Sequence, residues 1–216
     1  MCASKSRTPF DPDCVRCPRL SGFLEQVRGE YPAYHARPVA PFGDPEARLL
    51  VVGLAPGMHG ANRTGRPFTG DYAGILLYQT LYDFGFSNRP VSESADDGLQ
   101  LLDCRITNAV KCLPPQNKPQ TAEIRNCNRY LQAELATLPR RAVVLALGRI
   151  AHDAVLRALS KPLSACRFEH AAEHRQEGLV LLDSYHCSRY NTQTRRLTAE
   201  MFRTVIERAR ELIDAA

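Results

Sequence analysis

The chain has 216 residues, a formal net charge of +5 and 44% hydrophobic residues, enough apolar content for one domain with a true core. No run approaches the roughly 18 consecutive apolar residues that a bilayer-spanning helix needs, and the polar start Met1-Cys2-Ala3-Ser4-Lys5-Ser6-Arg7 lacks the apolar centre of a secretory leader. A soluble, cytoplasmic protein with no membrane association is therefore expected. Its eight cysteines point to metal ligation more than to disulfides, because a reducing compartment keeps thiols free.

In chain order, Cys14-Val15-Arg16-Cys17 is a C-x2-C pair at the entrance to an expected helix that carries Leu20, Phe23, Leu24 and Val27 on one face. Prolines crowd residues 31–45, and since each disfavours helix at the residue before it, an extended connection packed on the body is expected. Four apolar runs follow, residues 49–55, 104–110, 142–147 and 179–182, each closed by a turn signal. Residues 73–86, 121–138, 149–159 and 198–213 place apolar side chains at three- and four-residue spacing, with Thr121 and Thr198 as N-caps. Alternating strands and helices imply an α/β domain over residues 1–216, its mainly parallel four-stranded sheet covered on both faces. The acidic, polar residues 87–98 read as a surface loop without chemistry of its own.

Residues 53–71 form a long glycine-rich loop between the first strand and its helix, with Arg63 and Arg66 at its centre. In open α/β sheets, ligands bind beyond the carboxyl ends of the strands. There this chain collects residues 56–71, then Thr107-Asn108 with Lys111-Cys112, Gly148-Arg149, and Asp183-Ser184-Tyr185-His186. Such a site holds a carboxylate, an amide, an imidazole and an aromatic ring. Each member also has a plainer reading: Phe68 as a core anchor, Asn108 as a turn residue, His186 as a backbone-satisfied ring, Asp71 as a helix cap. A phosphate cradle is disfavoured because the loop has no Gly-Lys-Ser or Gly-Lys-Thr end.

The cysteines add a second pair, Cys112 and Cys127, with fourteen residues between them. That gap is too wide for a zinc-ribbon knuckle, whereas iron–sulfur clusters accept irregular spacing, so four-thiolate ligation of a [4Fe-4S] cluster by Cys14, Cys17, Cys112 and Cys127 is favoured. Spacing alone leaves open that Cys112 and Cys127 are ordinary buried residues. Cys104 sits in a strand pattern and reads as core, and Cys2, Cys166 and Cys187 lack partners at ligand spacing.

Three blocks then carry a family likeness: Gly53-Leu54-Ala55-Pro56-Gly57 with His59-Gly60, Asn62-Arg63-Thr64-Gly65-Arg66 and Phe68-Thr69-Gly70-Asp71; Thr107-Asn108-Ala109-Val110-Lys111-Cys112; and Ser184-Tyr185-His186 with Asn191-Thr192 and Arg196-Leu197-Thr198. Together they resemble the uracil-DNA glycosylase superfamily, and most of all its family 5, the broad-specificity type b enzymes. The resemblance implies a three-layer α/β/α sandwich, a structural four-cysteine iron–sulfur cluster, and hydrolytic removal of uracil and related deaminated bases from double-stranded DNA by a monofunctional enzyme. It implies catalytic roles for Asp71, His186 and Asn108, and a base pocket from Gly53, Leu54, Ala55, Gly57, His59 and Phe68. Arg63, Arg66, Arg189, Arg195 and Arg196 would meet DNA, with Arg63 and Arg66 alternatively fixing the loop. A monomer associated with the nucleoid is expected. Two departures stand out. Leu54 occupies the place of an acidic residue in family 4, which leaves Asp71 as the natural carboxylate, and Cys187 replaces the proline usual after the histidine. A non-catalytic, cluster-bearing DNA-binding module is the alternative.

Overall fold

The computed structural model describes residues 10–176 and 178–215, so the start of the chain, with Cys2, lies outside the described residues. Helix α1 (Pro18–Glu30) opens with proline at its first position, where a missing N–H removes no helical bond, and buries Leu20, Leu24 and Val27. The proline-rich connection then runs along the body, burying Ala36 and Val39, and Val39 donates its N–H to the Lys111 carbonyl. It ends in β1 (Phe42–Gly43). Strand β2 (Leu49–Gly53) enters the glycine-rich loop, which holds the single turn α2 (Ala61–Thr64) and leads into α3 (Tyr72–Asp83). Then come β3 (Cys104–Asn108), a 3-10 turn (Pro115–Asn117), α4 (Thr121–Leu135), β4 (Ala142–Leu147) and α5 (Arg149–Ala158). The chain closes with β5 (Glu173–Gln176), β6 (Leu179–Ser184), α6 (Arg189–Gln193) and α7 (Ala199–Asp214).

The strands form one sheet in the order β1-β3-β2-β4-β6-β5. The inner four are parallel and each edge strand is antiparallel to its neighbour. This corrects the expected count of four strands. The two-residue β1 contains a glycine, and β5, Glu-His-Arg-Gln, alternates exposed and half-buried without an apolar residue; neither has the pattern that marks a buried strand. Strands β2 and β4 are buried throughout, hence their unbroken apolar runs.

Alternation along the strands divides the core. Leu49, Val51, Val143 and Leu145 pack with Leu77 and Leu81 of α3 and with Phe202 and Val205 of α7. Leu50, Val52, Val144 and Ala146 face Leu131 of α4 and Ala151 and Val155 of α5. The result is the expected three-layer sandwich, with α1 in a third cluster beside Val110, Cys112 and Leu113. Thr198 caps α7 as expected, accepting from the Met201 N–H at 3.1 Å. Thr121 is instead the first helical residue of α4; Gln120 holds the cap position, its N–H donating to the Glu123 carboxylate at 2.6 Å. Among the described residues no helix is long and apolar enough to cross a membrane.

Candidate active site

Register aligns the ends of the parallel strands: Gly53 pairs with Asn108, and Leu147 with Ser184. Beyond that edge opens a cavity of about 580 Å³, a size suited to a small ligand. Phe68, Asp71, Asn108 and His186, delivered by the ends of β2, β3 and β6, all line it, as do Leu54, Ala55 and Gly57. Gly53 makes their approach possible. A Cβ there would lie 2.4 Å from Asn108 Oδ1 and 2.6 Å from the Phe68 ring, so any side chain would separate the amide from the aromatic.

Each group has a definite state. The Asn108 side chain is buried and its Oδ1 has no partner within the protein, an uncompensated acceptor aimed where a ligand can satisfy it. The His186 ring lies nearly parallel to Phe68, with centroids 5.9 Å apart. Burial pulls its pKa down to about 4, so near neutrality it is uncharged, and its Nδ1 is buried without a partner. Its backbone is tied down by Asn191, whose Nδ2 donates to the His186 carbonyl at 2.8 Å.

Asp71 takes the cap position and also lines the cavity. Its Oδ1 accepts from the Gly74 N–H at 2.9 Å as the cap of α3. The carboxylate also packs against the loop, where a Cβ on Gly60 would come within 2.6 Å of Oδ2. Burial raises the Asp71 pKa, opposed by the backbone N–H groups of Gly74 and Ala73. Cys187, in the place of the usual proline, is fully buried, and its thiol is pushed up to about 12 by burial and by the neighbouring Asp71 charge.

Phe68 is held at φ 55°, a left-handed conformation that a bulky residue adopts only when its surroundings enforce it. Arg66 supplies the enforcement. Its guanidinium is 4% exposed and donates to Thr69 Oγ1 at 2.9 Å, Ser92 Oγ at 2.8 Å and Asp97 Oδ2 at 2.6 Å, and it covers the Phe42 ring. Tyr78 adds a hydrogen bond to the Pro67 carbonyl at 2.7 Å. Nη1 also reaches the Ala95 carbonyl at 3.4 Å, so of the two readings open to Arg66 its contacts favour the loop-fixing one. Residues 87–98, read as chemically silent, supply the Ser92 and Asp97 that hold Arg66.

Not every anticipated residue reaches the cavity. His59 is exposed and bonds Tyr34 through Nδ1 at 2.8 Å, outside the lining. Arg63 and Arg195 are exposed and also lie outside it, whereas Arg189 and Arg196 stand at its wall, over the rings of Tyr72 and Tyr185. The far wall contains Phe168, which lies in an irregular segment with no periodicity or motif to reveal it.

The four anticipated cysteines do come together. Cys14, Cys17, Cys112 and Cys127 line one small cavity with Asn126 and Tyr130. Cys127 Sγ accepts from the Lys111 N–H at 3.2 Å, and Asn126 Nδ2 lies 3.7 Å from Cys17 Sγ. Burial raises the thiol of Cys112, and Cys127, Cys14 and Cys17 raise it further; burial takes Cys127 to about 11. Four cysteines lining one cavity, with N–H donors beside Cys127 and Cys17, are a set that a metal centre can use. Cys104 is buried in β3, as expected for core.

An α/β/α sandwich with a cavity at the carboxyl edge of its parallel strands and four cysteines lining a second, smaller cavity beside α1 is a narrow structural description. The sequence profile of the uracil DNA glycosylase superfamily matches residues 40–210, and the chain belongs to that superfamily. It is 50% identical over 205 residues to the type-5 uracil-DNA glycosylase of Thermus thermophilus, covering 92% of this chain and 93% of the relative. Identity is 45% over 201 residues to the type-5 uracil-DNA glycosylase of Pyrobaculum aerophilum, covering 91% and 88%. The type-4 uracil-DNA glycosylase of Sulfurisphaera tokodaii is more distant, 28% identical over 77% of this chain and 72% of the relative.

Proposed function

We propose that this protein is a monofunctional uracil-DNA glycosylase that hydrolyses the N-glycosidic bond of uracil, and of other deaminated bases, in double-stranded DNA and leaves an abasic site. The observation that carries this reading is the convergence of Phe68, Asn108, His186 and Asp71 on one cavity. A base inside a duplex is out of reach, so the nucleotide is extruded into the pocket. There Phe68 stacks on its face, an interaction of about 1–3 kcal/mol per base, and Asn108 meets its polar edge with an amide that both donates and accepts. As the bond to the sugar lengthens, negative charge grows on the pyrimidine oxygen. The neutral His186 offers an N–H to that charge, a contribution of about 2.7–4 kcal/mol when such a donor is removed. The Asp71 carboxylate, still carrying acceptor capacity beyond its cap bond, orients water or stabilises the cationic sugar.

Arg63, Arg189, Arg195 and Arg196 are proposed to meet the DNA backbone and the gap left by the extruded nucleotide. Cys14, Cys17, Cys112 and Cys127 are proposed to hold a [4Fe-4S] cluster that ties α1 to the segment after Asn108; the cavity they line together supports this, and the cluster would supply structure rather than a reaction step. We further propose that residues 1–216 form a single domain acting as a monomer, in the cytoplasm on nucleoid DNA. The deciding assay incubates the protein with a duplex containing one deoxyuridine and then cleaves with alkali: strand breakage at the uracil is expected, and an intact strand overturns the reading. Purified protein should be brown and carry iron and sulfide, whereas a colourless preparation with stoichiometric zinc overturns the cluster.

A further inference from the structure

Behind the cavity wall made by Phe168 and Tyr185 lies a group of polar side chains that base excision does not use: His152 on α5, His174 on β5 and Asp183 on β6. Asp183 is 0% exposed and His152 1%. His152 Nδ1 is 2.8 Å from Asp183 Oδ1, and its Nε2 is 3.1 Å from the Cys166 carbonyl oxygen. A carboxylate and a peptide carbonyl only accept hydrogen bonds, and a neutral imidazole has one N–H to give. In the neutral ring one bare nitrogen would therefore oppose an oxygen lone pair in a dry interior, an arrangement that burial makes costly.

We propose that His152 is a buried imidazolium that fixes the far wall of the base pocket, and so is a positioning residue for excision. The pocket's role rests on the glycosylase reading above; the charge state of His152 does not. His174 meets Asp183 through Nε2 alone, at 3.1 Å to Oδ2.

Three pieces of the wall depend on this cation. The Cys166 carbonyl that it holds begins the segment carrying Phe168, whose ring lies edge-on to His152 with centroids 5.7 Å apart. Asp183 binds the same segment through its backbone, accepting from the Ala171 N–H and donating to the Ala172 carbonyl. Two residues further, Tyr185 donates its N–H to His170 Nδ1 at 3.2 Å and stacks on that ring at 5.0 Å, and the next residue is His186. The groups facing His152 are Asp183 from β6, His174 from β5, the Cys166 carbonyl and, on its own helix, Asp153. Burial works against its proton, but Asp183, the Cys166 carbonyl and Asp153 outweigh burial and hold its pKa above the ordinary histidine value. The stabilisation is thus complete below the unfolded value of about 6.5 and is lost as pH rises through the folded value.

The test is nitrogen NMR of the wild-type protein labelled in its histidines, with His152 identified through its contact to the Phe168 ring. At about pH 7.5, where an unperturbed ring is about nine-tenths neutral, both His152 nitrogens should carry protons. A ring with one protonated nitrogen overturns the proposal, as does a ring whose signals reach their final positions only when zinc is added. The second readout is single-turnover excision from a deoxyuridine duplex. His152→Gln should raise the enzyme concentration giving half-maximal rate by about tenfold, one factor of ten being about 1.4 kcal/mol, with a smaller fall in maximal rate, and this gap should close at alkaline pH as the wild-type ring loses its proton. A gap independent of pH overturns the positioning role. If the wild-type protein excises no uracil, the glycosylase reading fails, and the nitrogen spectrum still decides the imidazolium.

Discussion

At Asp71, Oδ1 accepts the cap hydrogen bond and the residue also lines the cavity, which leaves Oδ2 for the role proposed above. Asp71→Asn keeps an oxygen for the Gly74 N–H and should fold normally while losing excision, whereas Asp71→Ala should also lose about 1 kcal/mol of stability with the cap. Comparing excision rate with urea unfolding of both variants checks this. Because burial raises the Asp71 pKa, and the proposed role is that of the ionised carboxylate, the rate should fall on acidification at a pH above the usual carboxylate range. That Phe68, Asp71, Asn108 and His186 share one end of the sheet was legible because they lie at or beyond the ends of apolar runs, where open sheets place their ligands; their roles came only with the family resemblance. Asp97 was not. Its partner Arg66 is 31 positions away, and no spacing rule joins them. Burial alone would raise the Asp97 carboxyl, but Arg66 and the N–H groups of Leu99, Glu93 and Ser94 hold it well below the usual range. Asp97→Asn breaks a largely buried pair, expected to cost about 3 kcal/mol and to weaken base capture by freeing Phe68; a thermal melt and a half-saturation measurement test the two effects.

At the scale of elements, strands with both faces buried and helices with an apolar stripe were readable, and the edges were not. Runs such as Ala142–Leu147 announce themselves because every residue is buried, while β1, β5, α2 and α6, of two to five residues, are set by tertiary pairing and local caps. Leu145 lies in the middle of the sheet and is fully buried, so Leu145→Ala should cost about 2–5 kcal/mol in urea unfolding. The loop after β6 carries its own pH dependence. His186 is pulled down to about 4 by burial, below the unfolded value of about 6.5. The neutral ring therefore stabilises the fold above that unfolded value, and this contribution is lost as pH falls toward the folded one. Thermal melts from about pH 7 to about pH 4 should show a descent that is reduced in His186→Asn.

For the molecule as a whole, the net charge of +5 is modest, and its useful part is local. Arg189 and Arg196 flank the cavity mouth, and Arg63 and Arg195 are exposed. If Arg189 and Arg196 each neutralise one phosphate, replacing both with alanine should reduce the salt slope of duplex binding by about 1.8, at about 0.9 per phosphate; a fluorescence anisotropy titration at several salt concentrations measures it. The sheet order has a further consequence, for synthesis. β2, the first long strand made, ends in the middle of the sheet and pairs only with strands made later, and the cavity takes its walls from positions as far apart as Leu54 and Arg196. A nascent or truncated chain lacking β6 has no reduced version of the pocket to offer. Activity should therefore arise only once β6 and the segment after it, through Arg196, have docked, and premature stops before that point should be as damaging as early ones.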